Sequence, residues 1–158
     1  MNIKKDEFAI AVLLPVAVGT VAAYFTRGAQ MVFSMLNQPP LSPPAWLFPV
    51  VWTILYVLMG IASYLVWQQG SEREDVKEAI KIYLIQLAFN FFWSFFFFNF
   101  GLYLFSFIWL VAMWGLILIA ILKFRKISPA AAYLMIPYLL WVSFAGYLNV
   151  GIYMLNPR

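Results

Sequence analysis

The sequence contains no cysteine and no histidine, and only 10% of its 158 residues are charged. Without cysteine and histidine the chain cannot form a disulfide, a thiolate nucleophile, a zinc site of the usual kind or a histidine proton shuttle. It also cannot bind haem iron through His or Cys. The net charge of +4 is not concentrated in any basic tract, which argues against nucleic-acid binding.

The chain is unusually rich in apolar residues. Hydrophobic residues make up 65% of the sequence and aromatic residues 20%, whereas soluble domains are about 45–50% apolar and about 25% charged. About 20 apolar residues cross a bilayer as a helix, and an unbroken run such as the four phenylalanines at 95–98 does not alternate as a β-barrel strand must. We therefore predict an all-α membrane protein, a bundle of five transmembrane helices in a single domain covering residues 1–158. The five predicted spans are 8–25, 45–67, 82–100, 102–122 and 129–155.

Helix-start signals support this division. The serine-proline pairs at 42–43 and 128–129 each predict an N-cap followed by proline at the first helical position. Residues 71–74 have the spacing of a capping box, which predicts the start of the third helix in water. Gly101 makes the connection between spans three and four very short, whereas 27–44 is a long, proline-rich connection suited to covering one mouth of the bundle.

The first span shares some features with a cleaved signal peptide. Lys4 and Lys5 supply a basic start, but Asp6 and Glu7 interrupt it. The apolar stretch is also longer than the 7–15 residues typical of a signal core. We expect a retained helix.

The basic residues predict the orientation, because lysine and arginine concentrate in cytoplasmic loops. Eight of the ten fall on one side of the predicted bundle, while Arg27 and Arg158 fall on the other. We therefore expect a multi-pass protein of the cell membrane, with the N-terminus in the cytoplasm and the C-terminus and long connection outside. The eight are Lys4, Lys5, Arg73, Lys77, Lys81, Lys123, Arg125 and Lys126.

No predicted span has an ionisable residue near its middle, which disfavours proton-coupled transport, carboxylate-pair catalysis and serine hydrolysis. Instead, three spans carry stripes of neutral polar, aromatic and small residues at helical spacing. Taken singly, each stripe is more typical of helix packing. Their coincidence favours a cavity, because aromatic walls with a few neutral polar groups suit a flat, largely apolar ligand. The stripes are Gln86, Asn90 and Ser94; Trp52, Tyr56 and Gly60; and Pro137, Trp141, Ala145 and Asn149.

Three blocks of sequence carry a family resemblance. They are PPAWLFPVVWTILY followed by MG within 43–60, QLAFNFFWS followed by FF within 86–97, and PYLLWVSFA followed by LN within 137–149. In this order and spacing they resemble the translocator protein family (TspO/MBR), also called the tryptophan-rich sensory protein or peripheral benzodiazepine receptor family.

The resemblance implies five helices, frequent homodimerisation, and a ligand cavity between the helices under the first loop. Members of that family bind porphyrins such as protoporphyrin IX, sterols and synthetic isoquinoline or benzodiazepine ligands, and some bacterial members promote light-dependent breakdown of protoporphyrin. On this basis Trp52 and Trp141 would be catalytic only if photochemistry occurs. The expected ligand-binding residues are Phe33, Trp46, Trp52, Tyr56, Phe89, Asn90, Trp93, Trp141, Phe144, Ala145 and Asn149.

The chain departs from the family pattern in the first loop, where Val32-Phe33 replaces a frequent Trp-Tyr pair. A hydroxyl expected at that wall is missing, which bears on degradation more than on binding. A loose sterol pattern, Leu148, Tyr153 and Arg158, is of a kind that arises often by chance.

Three functions remain open. The first is a membrane receptor or sensor for a metal-free tetrapyrrole or a sterol-like molecule, with no metal and no cofactor beyond the ligand protoporphyrin IX. The second is light-dependent degradation of that porphyrin, and the third is passive transport of a hydrophobic solute.

Overall fold

The computed structural model describes residues 4–157, and within that range it contains helices and no strand. All five long helices are apolar and long enough to cross a membrane. The predicted fold class is therefore confirmed for the described part of the chain. The helices are α1 (Lys5–Ser34), α2 (Leu47–Trp67), α3 (Glu74–Ser94), α4 (Tyr103–Ile127) and α5 (Pro129–Leu155), and a short π-helix, Phe95–Asn99, continues α3.

The helices form a closed ring in the order α1, α2, α5, α4, α3, with a thinner contact from α3 back to α1. Only 11% of the apolar window of α1 is buried inside the protein, compared with 33–44% for the other four. The helix α1 therefore has the largest lipid-facing share of the five.

Two glycines allow α1 and α2 to approach closely. A Cβ placed on Gly60 of α2 would lie 2.5 Å from the Cα of Val12 on α1. On the opposite helix, a Cβ on Gly19 would overlap the ring of Tyr56. Small residues at such crossings let helix backbones pack in a membrane without large side chains between them.

Two of the predicted helix starts are wrong, and one is confirmed. The Ser128 hydroxyl accepts a hydrogen bond from the N–H of Ala131, with proline at the first helical position. The helix α2 instead begins at Leu47, because Ser42 donates to the Pro39 carbonyl at 2.8 Å and belongs to a turn of the preceding loop.

The predicted capping box does not form at the start of α3. That helix begins at Glu74, so Ser71 lies too early to cap it. The side chain of Asp75 accepts the Val76 N–H at 3.0 Å and forms an ion pair with Arg73 at 2.6 Å.

The helix α1 is also longer than predicted and ends at Ser34, nine residues beyond the predicted end of the first span. The charge of Arg27 ends the apolar run but does not interrupt the helix, which continues past it. The connection to α2 is consequently residues 35–46, which we call the roof loop.

The two ends of the bundle differ in charge, as the sequence predicted. At the basic end, the backbone N–H of Lys4 donates to the Tyr64 hydroxyl at 3.0 Å, and Lys123 pairs with Glu78 at 2.9 Å. The opposite end, which we call the loop end, brings the roof loop to the end of α5. Arg158, counted in the sequence prediction, lies outside the described residues.

Candidate ligand-binding cavity

A cavity of about 320 Å³ lies at the loop end, between α1, α2, α3, the π-helix and α5. Residues of the roof loop line it together with residues from these helices. Eight of the eleven predicted ligand-binding residues lie in its lining, which brings together three distant blocks of sequence. These eight are Phe33, Trp52, Tyr56, Asn90, Trp93, Trp141, Ala145 and Asn149.

Tryptophans from two neighbouring helices form aromatic walls. Trp52 of α2 stacks on Tyr56, with ring centroids 5.6 Å apart and an interplanar angle of 27°. Trp141 of α5 meets Phe48 edge-on at 5.9 Å. These rings offer flat apolar faces, and stacked or edge-on contact is the geometry that aromatic groups prefer.

The floor of the cavity is a chain of neutral hydrogen bonds across α2, α3 and α5. The Tyr56 hydroxyl donates to Asn90 Oδ1 at 2.8 Å, and Asn90 Nδ2 donates to the Tyr138 hydroxyl at 3.0 Å. That hydroxyl donates in turn to Gln86 Oε1 at 2.7 Å. Because these buried groups bind one another, they fix three helices without placing any charge beneath the cavity.

Asn149 of α5 forms a second group of buried hydrogen bonds, with residues of α3 and α4. Its Oδ1 accepts from Trp93 Nε1 and from Ser106 Oγ, each at 3.1 Å, while its Nδ2 donates to the Tyr103 carbonyl at 2.8 Å. The amide therefore joins α3, α4 and α5 through bonds within the protein. Although Asn149 lines the cavity, its polar atoms already have partners.

The indole N–H of Trp141 differs, since it is buried and has no hydrogen-bond partner in the described chain. A buried donor without a partner is unfavourable by about 1–3 kcal/mol. This N–H is also shielded from the cavity, so a ligand would contact Trp141 through its ring.

The π-helix supplies the wall nearest to Phe33. The consecutive rings of Phe97 and Phe98 both lie 5.6 Å from the Phe33 ring, and Phe48 lies 6.4 Å from it on another side. Single π-turns frequently occur at functional sites. Phe33 is therefore surrounded by other aromatic rings.

The roof loop is held to α5 by polar contacts at two places. The backbone N–H of Asn37 donates to Asn156 Oδ1 at 3.0 Å, and Asn156 Nδ2 donates to the Asn37 carbonyl at 2.8 Å. The Tyr147 hydroxyl donates to the Pro40 carbonyl at 2.7 Å. These bonds connect the cover of the cavity to the helix that carries Trp141.

Three predicted ligand-binding residues do not line the cavity. Trp46 precedes α2 and is 66% exposed. Phe89 stacks on Trp109 of α4, with centroids 4.2 Å apart. Phe144 contacts Trp141 and Tyr147 without entering the lining.

Several lining residues were not predicted from the sequence. The small residues of α1 lie at spacings of three and four, the period of one helix face, and this signal could have identified them. The residues of the roof loop and π-helix gave no comparable signal. The unpredicted lining residues include Gly19, Ala22, Ala23, Thr26, Gln38, Phe97, Phe98 and Leu148.

The meeting of the three sequence blocks around one cavity agrees with comparison to known proteins. The model of the TspO/MBR family matches residues 11–155. The chain belongs to the TspO/MBR family.

Similar proteins come from bacteria and mammals. The chain is 39% identical to the tryptophan-rich protein TspO of Chlorobaculum tepidum over 158 residues, covering 99% of this chain and 100% of that protein. It is 34% identical to the translocator protein of Bos taurus over 139 residues, or 87% of this chain and 82% of that protein. It is 31% identical to protein CrtK of Rhodobacter capsulatus over 150 residues, or 95% and 92% respectively.

In this TspO/MBR chain the loose sterol pattern does not form one surface within the described residues. Leu148 is buried in the cavity lining, whereas Tyr153 is 41% exposed on the outside of α5. The third member, Arg158, lies outside the described residues.

Proposed function

We propose that this TspO/MBR protein is an integral membrane receptor or sensor that binds a flat, largely apolar ligand of the tetrapyrrole class, such as protoporphyrin IX. The observation that carries the proposal is the single cavity lined by both Trp52 and Trp141. Small-molecule sites are typically apolar, with a few polar groups that fix the ligand's orientation.

The chemistry of the lining favours a metal-free ring. Ring contact with Trp52 and Trp141 supplies apolar surface for a flat ligand. No histidine or cysteine exists in the chain to ligate an iron. The volume of about 320 Å³ is at the lower end of the usual range of about 300–1,000 Å³ for ligand pockets. We therefore expect a tetrapyrrole to displace the roof loop when it binds.

A titration tests this proposal. Protoporphyrin IX added in the dark to the purified protein should quench tryptophan fluorescence in a saturable way. Ala145→Leu should weaken that binding by about tenfold, because the larger side chain occupies space in the lining and overpacking is unfavourable by about 1–3 kcal/mol. Unchanged affinity alongside a lower melting temperature would place Ala145 in helix packing instead.

The matched control is Ala112→Leu, which makes the same change at an exposed position of α4. It should leave both the affinity and the melting temperature near their parent values. If protoporphyrin IX quenches the parent, Ala112→Leu and Ala145→Leu equally and the three proteins melt at the same temperature, the ligand does not bind in this cavity.

A second candidate function uses the same two tryptophans. Light-excited protoporphyrin could take one electron from the indole of Trp52 or Trp141 and thereby begin its own degradation. The observation favouring this reaction is that both indoles lie at the cavity, where a bound ring would contact them. Formation of a new absorbing product under illumination distinguishes it from simple binding.

Passive transport of a porphyrin or sterol-like solute is the third candidate. The chain of hydrogen bonds from Tyr56 to Gln86 closes the floor, so transport requires these bonds to open. Movement of a solute across sealed vesicles is the distinguishing measurement.

The proposal also covers location and assembly. We place the basic end in the cytoplasm and the loop end, with the C-terminus, outside the cell membrane, because the basic residues concentrate at the first of these ends. A homodimer, which the family resemblance implies, is part of the same proposal.

A further inference from the structure

The cavity lies in a part of the molecule that is nearly free of charge. Every residue in its lining falls within one of four stretches of sequence without a single Asp, Glu, Lys or Arg. The stretches are 8–26, 28–71, 82–122 and 127–157. Since most charged residues lie at the basic end, a charged ligand in this cavity would have almost no side chain of opposite charge near it.

Arg27 is the charged side chain at the loop end within residues 4–157, and it is engaged elsewhere. Its Cζ lies 4.3 Å from the centroid of the Tyr24 ring, which is 57% exposed on α1. The face of α1 that lines the cavity instead carries the small residues at 19, 22, 23 and 26. The guanidinium is thus held by a cation–π contact with a ring outside the cavity lining.

The buried polar side chains of the cavity cannot replace a cation. The amides of Asn90 and Asn149 bind other protein groups, and Thr26 donates to a carbonyl of its own helix at 2.9 Å. A carboxylate moved into such surroundings would lose its hydration without gaining a charged partner, which is strongly unfavourable.

We infer that the cavity takes up its ligand in an uncharged form. The class of ligand is a flat polycyclic molecule whose acidic groups are esterified or protonated, in preference to the corresponding anion. This inference rests on the proposed function, because it concerns the same cavity. It adds that the cavity selects ligands by their charge, which ring size and aromatic stacking alone do not determine.

Two pairs of probes test the inference by changing charge on a constant ring. One pair is protoporphyrin IX and its dimethyl ester, and the other is cholesterol and cholesterol sulfate. Each is added to the purified full-length chain at neutral pH, and the apparent Kd is taken from the rise in melting temperature with ligand concentration. Ala145→Leu is measured in parallel, because weaker binding by this variant shows that a probe binds in the cavity. The uncharged member of a pair should bind at least about tenfold more tightly.

A gain-of-charge variant gives the converse test. Gln38 is exposed in the roof loop and also lines the cavity, so Gln38→Lys places a cation at the mouth. The affinity for protoporphyrin IX should rise several-fold relative to that for its ester. Gln38→Met, which keeps a long side chain without charge, should leave the ratio of the two affinities unchanged.

Equal or tighter binding of the anions by the parent chain would overturn the inference. So would a selective loss of protoporphyrin IX binding in the double variant Arg27→Gln, Arg158→Gln, because the carboxylates would then reach a cation. If neither porphyrin binds but cholesterol binds more tightly than its sulfate, the tetrapyrrole proposal fails and the selection rule stands. If none of the four probes binds more tightly to the parent than to Ala145→Leu, both are wrong.

Discussion

At the scale of single residues, three tryptophans line the cavity, and two of them, Trp52 and Trp141, differ in their contacts with the surrounding protein. Trp52 has its ring stacked on Tyr56, which is itself part of the floor network. Trp141 keeps an indole N–H without a partner in the described chain. Both residues would therefore contribute ring contact to one ligand, Trp52 as part of a stacked pair and Trp141 with its N–H buried in the protein.

Replacing both Trp52 and Trp141 by phenylalanine separates binding from photochemistry. Phenylalanine keeps most of the stacking area, and aromatic pairs contribute only about 0.5–1.5 kcal/mol beyond the burial of area. We expect a modest loss of affinity for protoporphyrin IX in the dark. Since phenylalanine is far harder to oxidise than indole, the rate of porphyrin conversion in light should fall much further.

Both quantities should be measured on the same variants. Trp109→Phe is the control, because Trp109 stacks on Phe89 away from the cavity lining. If the double variant converts protoporphyrin at the parent rate, the mechanism through Trp52 or Trp141 is wrong and binding remains as the proposed function.

The sequence predicts a site residue where that residue belongs to a recognisable pattern, such as a stripe with helical spacing. Asn90 and Trp141 lie on stripes with helical spacing, and both line the cavity. Tyr138 gave no such signal, although it links Asn90 to Gln86 in the floor network. Its role depends on the approach of α5 to α3, which is a property of the assembled bundle.

At the scale of the elements, the close crossing of α1 and α2 at Gly60 positions α1 beside the cavity. Of the five long helices, α1 has the smallest buried share. Gly60→Ala would place a methyl group 2.5 Å from the Val12 Cα and 2.7 Å from the Ala11 carbonyl oxygen, so the two backbones must separate. We expect a loss of stability of about 1–3 kcal/mol, as for other overpacked contacts. Thermal unfolding in detergent provides the measurement.

Gly115→Ala is the matched control, because no atom beyond its chain neighbours and the nearby backbone of α4 lies within 4 Å of the added Cβ. Alanine is favoured over glycine in a helix by up to about 1 kcal/mol. Gly115→Ala should therefore keep or slightly raise the melting temperature. A similar response of the two variants would contradict the close crossing of α1 and α2.

The roof loop should control how quickly a ligand leaves. Tyr147→Phe removes the hydroxyl that donates to the Pro40 carbonyl. A hydrogen bond of this kind contributes about 0.5–1.5 kcal/mol, which corresponds to about two- to tenfold in rate. We expect protoporphyrin IX to dissociate faster by that factor in stopped-flow fluorescence in the dark.

Tyr153→Phe serves as the control for this change. Tyr153 is 41% exposed, close to the 40% exposure of Tyr147, and lies on the same helix outside the cavity lining. Its dissociation rate should equal that of the parent. Equal rates in both variants would show that the Pro40 contact does not limit ligand release.

The elements also show where prediction from sequence ends. The hydrophobic runs predicted five spans, because burial in lipid requires long apolar helices with internally satisfied backbones. The start of α2 could not be located, because Ser42 bonds within the roof loop rather than capping a helix. The extension of α1 to Ser34 was missed for a related reason, since a helix need not end where it leaves the membrane.

At the scale of the whole molecule, the separation of charge predicts one orientation that the absence of cysteine makes easy to measure. Single cysteines can be introduced at Leu41, which is 85% exposed in the roof loop, and at exposed Glu72 at the basic end. A membrane-impermeant maleimide added to intact cells should label Leu41→Cys and leave Glu72→Cys unlabelled, because basic ends face the cytoplasm. Permeabilised cells should allow labelling of both variants, and the parent chain, having no thiol, supplies the background. Labelling of Glu72→Cys alone in intact cells would reverse the orientation and place the cavity mouth in the cytoplasm.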